Sequence, residues 1–154
     1  MLKGVSTLGI TVGYAVETTA GTRPTSGYTV LTEIRDIPAV ANTPGTIDAT
    51  PLEETIMFRM LAGLADADVI SLTANNSDDL QTAWESCVSA AETAYSTGKA
   101  CWFEFKHPTL TKSFFVSGMP VSLGFAGASV NSVLDLNLNI VPNGCDRWQT
   151  KSTT

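Results

Sequence analysis

Hydrophobic residues spaced three or four positions apart mark one long segment of the chain as a helix. One stripe of the helical period takes up Leu80, Ala83, Trp84, Cys87, Val88, Ala91, Ala94 and Tyr95. Ser77 suits the N-cap position, and the two aspartates after it suit the positive end of the helix dipole. Gly98 suits the left-handed position that ends a helix. The pattern therefore predicts an amphipathic helix at about residues 77–97 that packs on a sheet.

Alternation of apolar and polar residues predicts strands on both sides of this helix. The predicted strands are 28–37 with a bend near Glu33, 67–75, 100–107, 113–117 with a continuation to 123, and 132–141. In the last strand, the residues expected to face the core are Leu134, Leu136, Leu138 and Ile140. We therefore predict an α+β, mainly β fold, with a β-sandwich or barrel-like core and one flanking amphipathic helix.

The ends of the chain carry weaker patterns than its middle. The length of 154 residues favours a single domain. Residues of about 1–27 are rich in Gly and Thr, and the alternation from Ile10 to Val16 indicates either a short strand or an extended N-terminal arm. Such an arm would either dock on another chain or be a partly disordered terminus. Residues of about 145–154 are polar apart from Trp148, and we expect a loose C-terminal tail there.

The segment at about residues 44–66 begins with a predicted turn and short strand that end at Pro51, and residues 52–64 are then apolar without a clean helical stripe. Such an apolar stretch either fills the core as a loop or forms an exposed apolar surface that meets a partner. We favour the partner, and we expect an interface loop between subunits. The residues predicted to lie in this interface are Met57, Phe58, Arg59, Met60 and Leu61.

Charge and cysteine content restrict which cellular compartment and which kinds of partner are expected. The 15 acidic and 9 basic residues give a net charge of −6, and no basic patch is present, so recognition of nucleic-acid sequence is not expected. The three cysteines are irregularly spaced and predict neither a disulfide framework nor a zinc site; we expect Cys87 and Cys101 to be buried. No apolar leader or membrane-length run occurs, so we expect folding in a reducing cytoplasm.

The residues that could perform chemistry do not form a catalytic set. His107 is the single histidine and stands at a predicted strand end, where a structural role is expected. Glu53 and Glu54 are neighbours in a predicted loop, and Asp66 and Asp68 lack the spacing of a calcium loop. We therefore predict no catalytic residues, no cofactor and no metal, and a structural or binding protein instead of an enzyme.

Five segments in order resemble a phage major tail tube protein of the long, non-contractile tail type. They are Gly13–Glu17 with Gly21–Pro24, Leu31–Pro38, Thr46–Thr50 with the loop to Leu64, the helix after Leu72–Asn75, and Trp102–Pro108. Together they cover nearly the whole chain. The same architecture resembles the inner tube of contractile tails and the tube of type VI secretion.

The resemblance implies a structural virion protein that is made in the host cytoplasm. Its subunits would form hexameric rings that stack into a hollow tail tube, through which DNA passes without adhering. Residues 52–64 would contact neighbouring subunits, and the N-terminal arm would contact the next ring. Tape measure, tail terminator and baseplate proteins would be the partners, and no decorated outer surface or membrane would be involved.

A DNA conduit requires a surface that attracts phosphate weakly, because basic contacts would retain the polymer. The two clean strands offer such a polar side, without Lys or Arg in either set. The residues predicted to face the lumen are Ser71, Thr73, Asn75, Asp135, Asn137 and Asn139. The alternative is that this side is the solvated exterior of the domain.

Three other functions remain open from the sequence. A small β-sandwich used for binding or adhesion would explain the strands but not the apolar segment together with the lack of a catalytic set. A secretion-system tube-like protein would share the architecture of a tail tube. An enzyme of a small α+β fold, with a pocket under the helix, would need an acid, base or nucleophile that the sequence does not offer.

Overall fold

The computed structural model describes residues 4–40, 43–53, 55, 60–66 and 68–153, without the side chains of 43–45 and 60–66. Nine strands and one helix occur in these ranges. The first strands are β1 (Thr11–Val16), β2 (Thr29–Leu31), β3 (Ile34–Asp36), β4 (Thr43–Asp48), β5 (Met60–Asp66) and β6 (Ile70–Asn75). They are followed by α1 (Asp78–Ser96), β7 (Cys101–Lys106), β8 (Lys112–Pro120) and β9 (Asp135–Thr150). The predicted mainly β, α+β fold is confirmed.

The main sheet is antiparallel and bends into a nearly closed barrel. Its seven strands follow the order β2-β1-β7-β8-β9-β6-β3. The two edge strands, β2 and β3, are joined by only Thr32 and Glu33, so the connection holds the two edges of the sheet close together. Glu33 makes this corner with a φ of 64°. The bend predicted near Glu33 is therefore present, but it separates two strands on opposite edges.

Helix α1 begins and ends as its sequence predicts. The Ser77 side chain accepts a hydrogen bond from the Leu80 backbone N–H, which caps the first turn. Gly98 adopts a φ of 78°, and Lys99 N–H donates to the Ala94 carbonyl at 2.9 Å, as in a Schellman motif. The predicted apolar stripe is buried at six of its eight positions, while Ala83 and Tyr95 are partly buried.

The core lies between α1 and the concave apolar side of the sheet. Trp84 is fully buried there, its ring lies 6.2 Å from that of Phe103, and its indole N–H donates to the Val121 carbonyl at 2.8 Å. Cys87 and Cys101 are buried as predicted and are free. Of the four residues expected to face inward in the last strand, Leu134 is the exception, since it precedes β9 and is exposed.

The C-terminal residues contradict the loose tail that we expected. Cys145–Thr150 are the second half of β9 and pair with β8, from Val116 back to Lys112. These residues are mostly polar because they lie at the exposed end of the sheet. At a register shift in this pairing, Gly118 lets β8 and β9 approach closely, because a Cβ at this position would stand 2.7 Å from the Val141 carbonyl oxygen.

Two other expectations for the chain segments change. Residues 11–16 of the predicted arm form β1, which pairs with β2 and β7 and so lies inside the sheet. Residues 43–48 and 60–66 of the predicted interface loop pair with each other as the hairpin β4–β5, a separate two-stranded sheet. The alternation at Val12, Tyr14 and Val16 was the correct indication for the first of these.

Candidate functional site: the open polar side of the sheet

The pairing of β6 with β9 places the six residues predicted to face a lumen opposite one another. The register joins Ser71 to Asn139, Thr73 to Asn137 and Asn75 to Asp135. In the first pair, the Ser71 hydroxyl donates to Asn139 Oδ1 at 2.8 Å. Sequence alternation predicted each set separately, and the structure brings both sets together as one surface. We call this surface the polar side.

The polar side is directed away from the core. The intervening residues of the same two strands are buried: Ile70, Leu72, Ala74, Leu136, Leu138 and Ile140. Ser71 and Asn137 are exposed, and the other four members are half-buried. Residues 126–129, 132 and 133 border a groove of about 500 Å³ beside Thr73 and Asp135. The surface offers hydroxyl and amide groups and one carboxylate, which suit weak hydrogen bonding more than tight binding.

The third strand of this region adds charges that alternation did not predict. Arg35 Nη2 on β3 lies 2.7 Å from Asp135 Oδ2, and its Nη1 lies 3.5 Å from Asn75 Oδ1. Glu33 Oε2 accepts from Asn75 Nδ2 at 3.5 Å. The sets on β6 and β9 contain no cation, as we noted from the sequence, but Arg35 reaches them from the neighbouring strand.

The predicted interface residues lie mostly beyond what the structure describes. Met57, Phe58 and Arg59 lie outside the described residues. Met60 and Leu61 belong to β5, where they pair with Asp48 and Ile47. On the described part of the hairpin and its turn, Ile47 is 54% exposed and Leu52 is fully exposed. The role of these residues in an interface stays a prediction.

Over β7 and β8, the same side of the sheet is covered by residues 17–28, which we call the strap. The Glu17 carboxylate accepts hydrogen bonds from Trp102 Nε1 at 2.8 Å, Gly21 N at 2.9 Å and Ala100 N at 3.2 Å. Burial alone would raise the pKa of Glu17, but these three donors outweigh it and lower the pKa. The carboxylate therefore fastens the strap to the sheet.

A second buried carboxylate fastens the end of the chain beside the strap. Glu104 accepts from the Ser152 hydroxyl at 2.6 Å and from the Ser152 backbone N–H at 3.0 Å. Thr153 N–H donates to the Thr25 carbonyl of the strap at 2.9 Å. Sequence reasoning missed this arrangement. An acid between aromatic residues of a strand, as in Trp102–Phe105, was the signal that could have found it.

Arg23 of the strap is held in two ways. Its guanidinium carbon lies 4.0 Å from the centre of the Phe115 ring, and its Nε lies 2.8 Å from Asp146 Oδ2. The Tyr28 ring also packs on Phe115, with 5.9 Å between the centres of the two rings. The arginine is only 17% exposed, so its charge is largely withdrawn from solvent.

The segment 121–134 exposes apolar side chains that the sequence analysis passed over. Phe125 is 80% exposed, Val130 is 89% exposed and Val133 is 62% exposed. Three apolar residues within a stretch of Gly, Ala and Ser were the available signal. This segment borders the polar side through the groove at Thr73.

The residues with reactive side chains have structural contacts. His107 donates from Nε2 to the Ser6 carbonyl at 2.6 Å, and its Nδ1 accepts from Thr109 N at 3.1 Å. This pairing uses both ring nitrogens of a neutral imidazole. In the described ranges, no group of three or more His, Cys, Asp or Glu residues is arranged to hold a metal ion. None of the helices described there has the length and apolarity to cross a membrane.

Comparison with known proteins finds likeness in structure and not in sequence. No protein-family model and no curated protein sequence matches the chain. A chain of the anti-feeding prophage (AFP) baseplate, from a six-fold symmetrised cryo-EM structure, matches with a TM-score of 0.63 and 12% identity. That match covers 97% of this chain and 98% of the other.

A chain from the tail of an empty GTA particle, computed with C6 symmetry, matches with a TM-score of 0.58 and 17% identity. The match covers 97% of this chain and all of the other chain. The fold therefore recurs along its whole length in subunits of a baseplate and of a tail, both in six-fold assemblies.

Proposed function

We propose that this chain is a structural subunit of a phage-type tail tube, in which hexameric rings stack around a channel for DNA. The observation that carries the proposal is the whole-length likeness to chains of a six-fold tail and a six-fold baseplate. The likeness covers 97% of the chain in both comparisons, which supports an assembly role for the fold as a whole. A location in the virion tail and a non-enzymatic role follow from the proposal.

The polar side supports an assignment as the channel wall. Its six members are Ser71, Thr73, Asn75, Asp135, Asn137 and Asn139, and five of these are neutral. Hydroxyl and amide groups do not release counterions from DNA as Lys and Arg do, so each contact with phosphate stays weak. A wall of this kind lets a polyanion pass without holding it.

The hairpin β4–β5 supports an assignment as the contact between subunits. It does not belong to the main sheet, and its exposed Ile47 and Leu52 would be costly to leave in water. The predicted residues Met57, Phe58, Arg59, Met60 and Leu61 belong to this contact in the proposal. A tape measure protein inside the tube, and terminator and baseplate proteins at its ends, complete the set of partners.

Electron microscopy of the purified chain tests the proposal. We expect rings or tubes with six-fold symmetry and a continuous channel. A protein that stays monomeric over the concentration range in which tail proteins polymerise contradicts a tube and favours a small binding or adhesion module. A cryo-EM reconstruction then tests the wall directly, because Asp135 and Asn137 must face the channel.

Charged substitutions in the hairpin test the subunit contact. Phe58→Asp with Met60→Asp should leave a folded monomer that forms no tubes, because two carboxylates would have to be buried between subunits. Ser89→Asp, on the exposed side of α1, is the matched control and should still form tubes. Normal tubes from the hairpin variant would assign the hairpin to the interior of its own subunit.

The match to a baseplate chain favours a second position for the subunit. A single ring at the end of a tail, or a tube of a secretion-type assembly, would need the same fold. Copy number distinguishes these positions: long tubes of many rings support the tail tube, whereas rings that stay single at high concentration support a baseplate ring.

A further inference from the structure

Arg35 lies on the polar side at an irregularity in β3. The register of β3 against β6 shifts between Ile34, which pairs with Ala74, and Asp36, which pairs with Thr73. The guanidinium lies over β6 and meets Asp135 on β9, two strands away, at 2.7 Å. In the same direction it approaches Asn75 Oδ1 at 3.5 Å. A single arginine thus spans three strands across the polar side.

The ion pair contributes little to stability. The side chains of Arg35 and Asp135 are 45% and 31% exposed, and exposed pairs of this kind contribute about 0–1 kcal/mol. Asp135 Oδ1 is buried without a hydrogen-bond partner, which costs part of that gain. A role in fixing the fold therefore does not account for the pair, and its effect on surface charge is the larger consequence.

The charge effect is specific because the rest of the polar side is neutral. An arginine guanidinium can hold a phosphate group with two parallel hydrogen bonds. If Arg35 were free, it would be a phosphate contact on an otherwise weakly interacting surface. In a tube the contact would recur in every subunit, so its effect would multiply along the DNA. Glu33, within reach of Asn75, adds a second carboxylate to this region of the surface.

We propose that Asp135 is the counter-ion that keeps Arg35 from binding phosphate, so that the polar side stays non-adhesive to DNA. The polyanion in this statement rests on the proposed function; the masking of Arg35 rests on the contacts of the chain itself. Removing the Asp135 charge exposes a latent phosphate site, and removing Arg35 as well abolishes that site.

Titration of the full chain with a short DNA duplex tests the masking without requiring tubes. NMR signals of the nitrogen-labelled arginine side chains report on Arg35 in wild type and in Asp135→Asn, and Arg35→Gln/Asp135→Asn identifies the Arg35 signal by its loss. We expect DNA to shift the Arg35 signal in Asp135→Asn and not in wild type. The affinity of that variant for DNA should fall more steeply with salt concentration than that of wild type, by about one additional released counterion per subunit. The double variant should match wild type in its affinity for DNA.

Asp146→Asn is the matched control, because it removes the carboxylate beside Arg23 while the Phe115 ring still covers that guanidinium. It should produce no new response to DNA. Asp135→Ser serves as a second unmasking variant if Asp135→Asn does not fold, and thermal melting establishes folding for each. An unresponsive Arg35 in the folded unmasked variant, or an equal response in wild type, overturns the proposal.

Tubes then separate this inference from the proposed function. Slower DNA ejection from particles with Asp135→Asn tubes, restored by the double variant, supports both. Unchanged ejection from intact tubes overturns the masking while the tube remains. Failure of the wild-type chain to assemble overturns the tube, and the titration still decides the masking.

Discussion

The two sides of the main sheet differ in what covers them. The side under α1 is covered throughout by apolar side chains, with Trp84, Phe103 and Leu138 fully buried. The other side is divided: the strap covers β7 and β8, whereas the polar side over β6 and β9 stays open. Burying a polar group costs free energy unless the group finds a hydrogen-bond partner. For this reason the covered Glu17 carboxylate accepts from three donors, whereas the exposed Asn137 side chain needs none.

This difference between the two sides indicates which regions stabilise the fold and which are free to interact. Substitutions under α1 should be costly, those under the strap should be intermediate, and those on the polar side should affect interactions instead of folding. Four measurements rank these regions by the free energy of unfolding.

The largest effect is expected from Trp84→Ala under α1. Removing a fully buried indole loses its transfer free energy and leaves a cavity, at a cost of about 3–5 kcal/mol. Chemical denaturation measures the change. Trp148→Ala is the matched control, because Trp148 is 53% exposed and its edge contact with Phe114 is worth about 1 kcal/mol. Equal losses in the two variants would mean that α1 is peripheral to the core.

Glu17→Gln tests the fastening of the strap. The amide keeps one acceptor oxygen but turns its NH₂ group toward backbone donors, so hydrogen bonds to a charged acceptor are lost at about 2 kcal/mol. Hydrogen exchange should show faster opening of residues 17–28 with α1 still protected. Glu92→Gln on the exposed side of α1 should change stability by less than about 0.5 kcal/mol. A strap that stays protected in the Glu17 variant contradicts the assignment.

Acid should weaken the same fastening. The folded-state pKa of Glu17 is lowered from its ordinary value of 4.5, so its stabilising effect is present above that value and is lost as pH falls through the folded-state pKa. The difference in unfolding free energy between wild type and Glu17→Gln should therefore shrink below pH 4.5. A difference that is constant from neutral pH into this acid range would exclude Glu17 as the titrating group.

The smallest effect on folding is expected on the polar side. Asn137→Ala should change the unfolding free energy by less than about 0.5 kcal/mol, because the side chain is exposed. Leu138→Ala, one residue further along the same strand but on the core side, should cost about 2–5 kcal/mol. Comparable losses from these neighbours would show that the polar side is not open.

Local patterns in the sequence were sufficient for the elements whose signals are themselves local. The helix was predictable because its stripe, its Ser77 cap and its Gly98 terminus all lie within one segment. The strands β6, β7 and the first part of β9, as far as Val141, were predictable because alternation indicates which side chains meet the core. For the same reason, Ser71, Thr73 and Asn137 were correctly expected to point away from it.

Tertiary structure alone decided how these elements meet and what covers them. The sequence of β9 looked like a tail after Asn143 because polar residues there pair with β8 at the end of the sheet, and pairing leaves no local mark. Arg35 and Asp135 stand 100 positions apart, and Glu17 and Trp102 stand 85 apart. Alternation states which side of a strand is apolar, but the cover on the opposite side comes from distant segments. The strap and the ion pair on the polar side therefore follow only from the tertiary structure, which brings these distant segments together on the closed sheet.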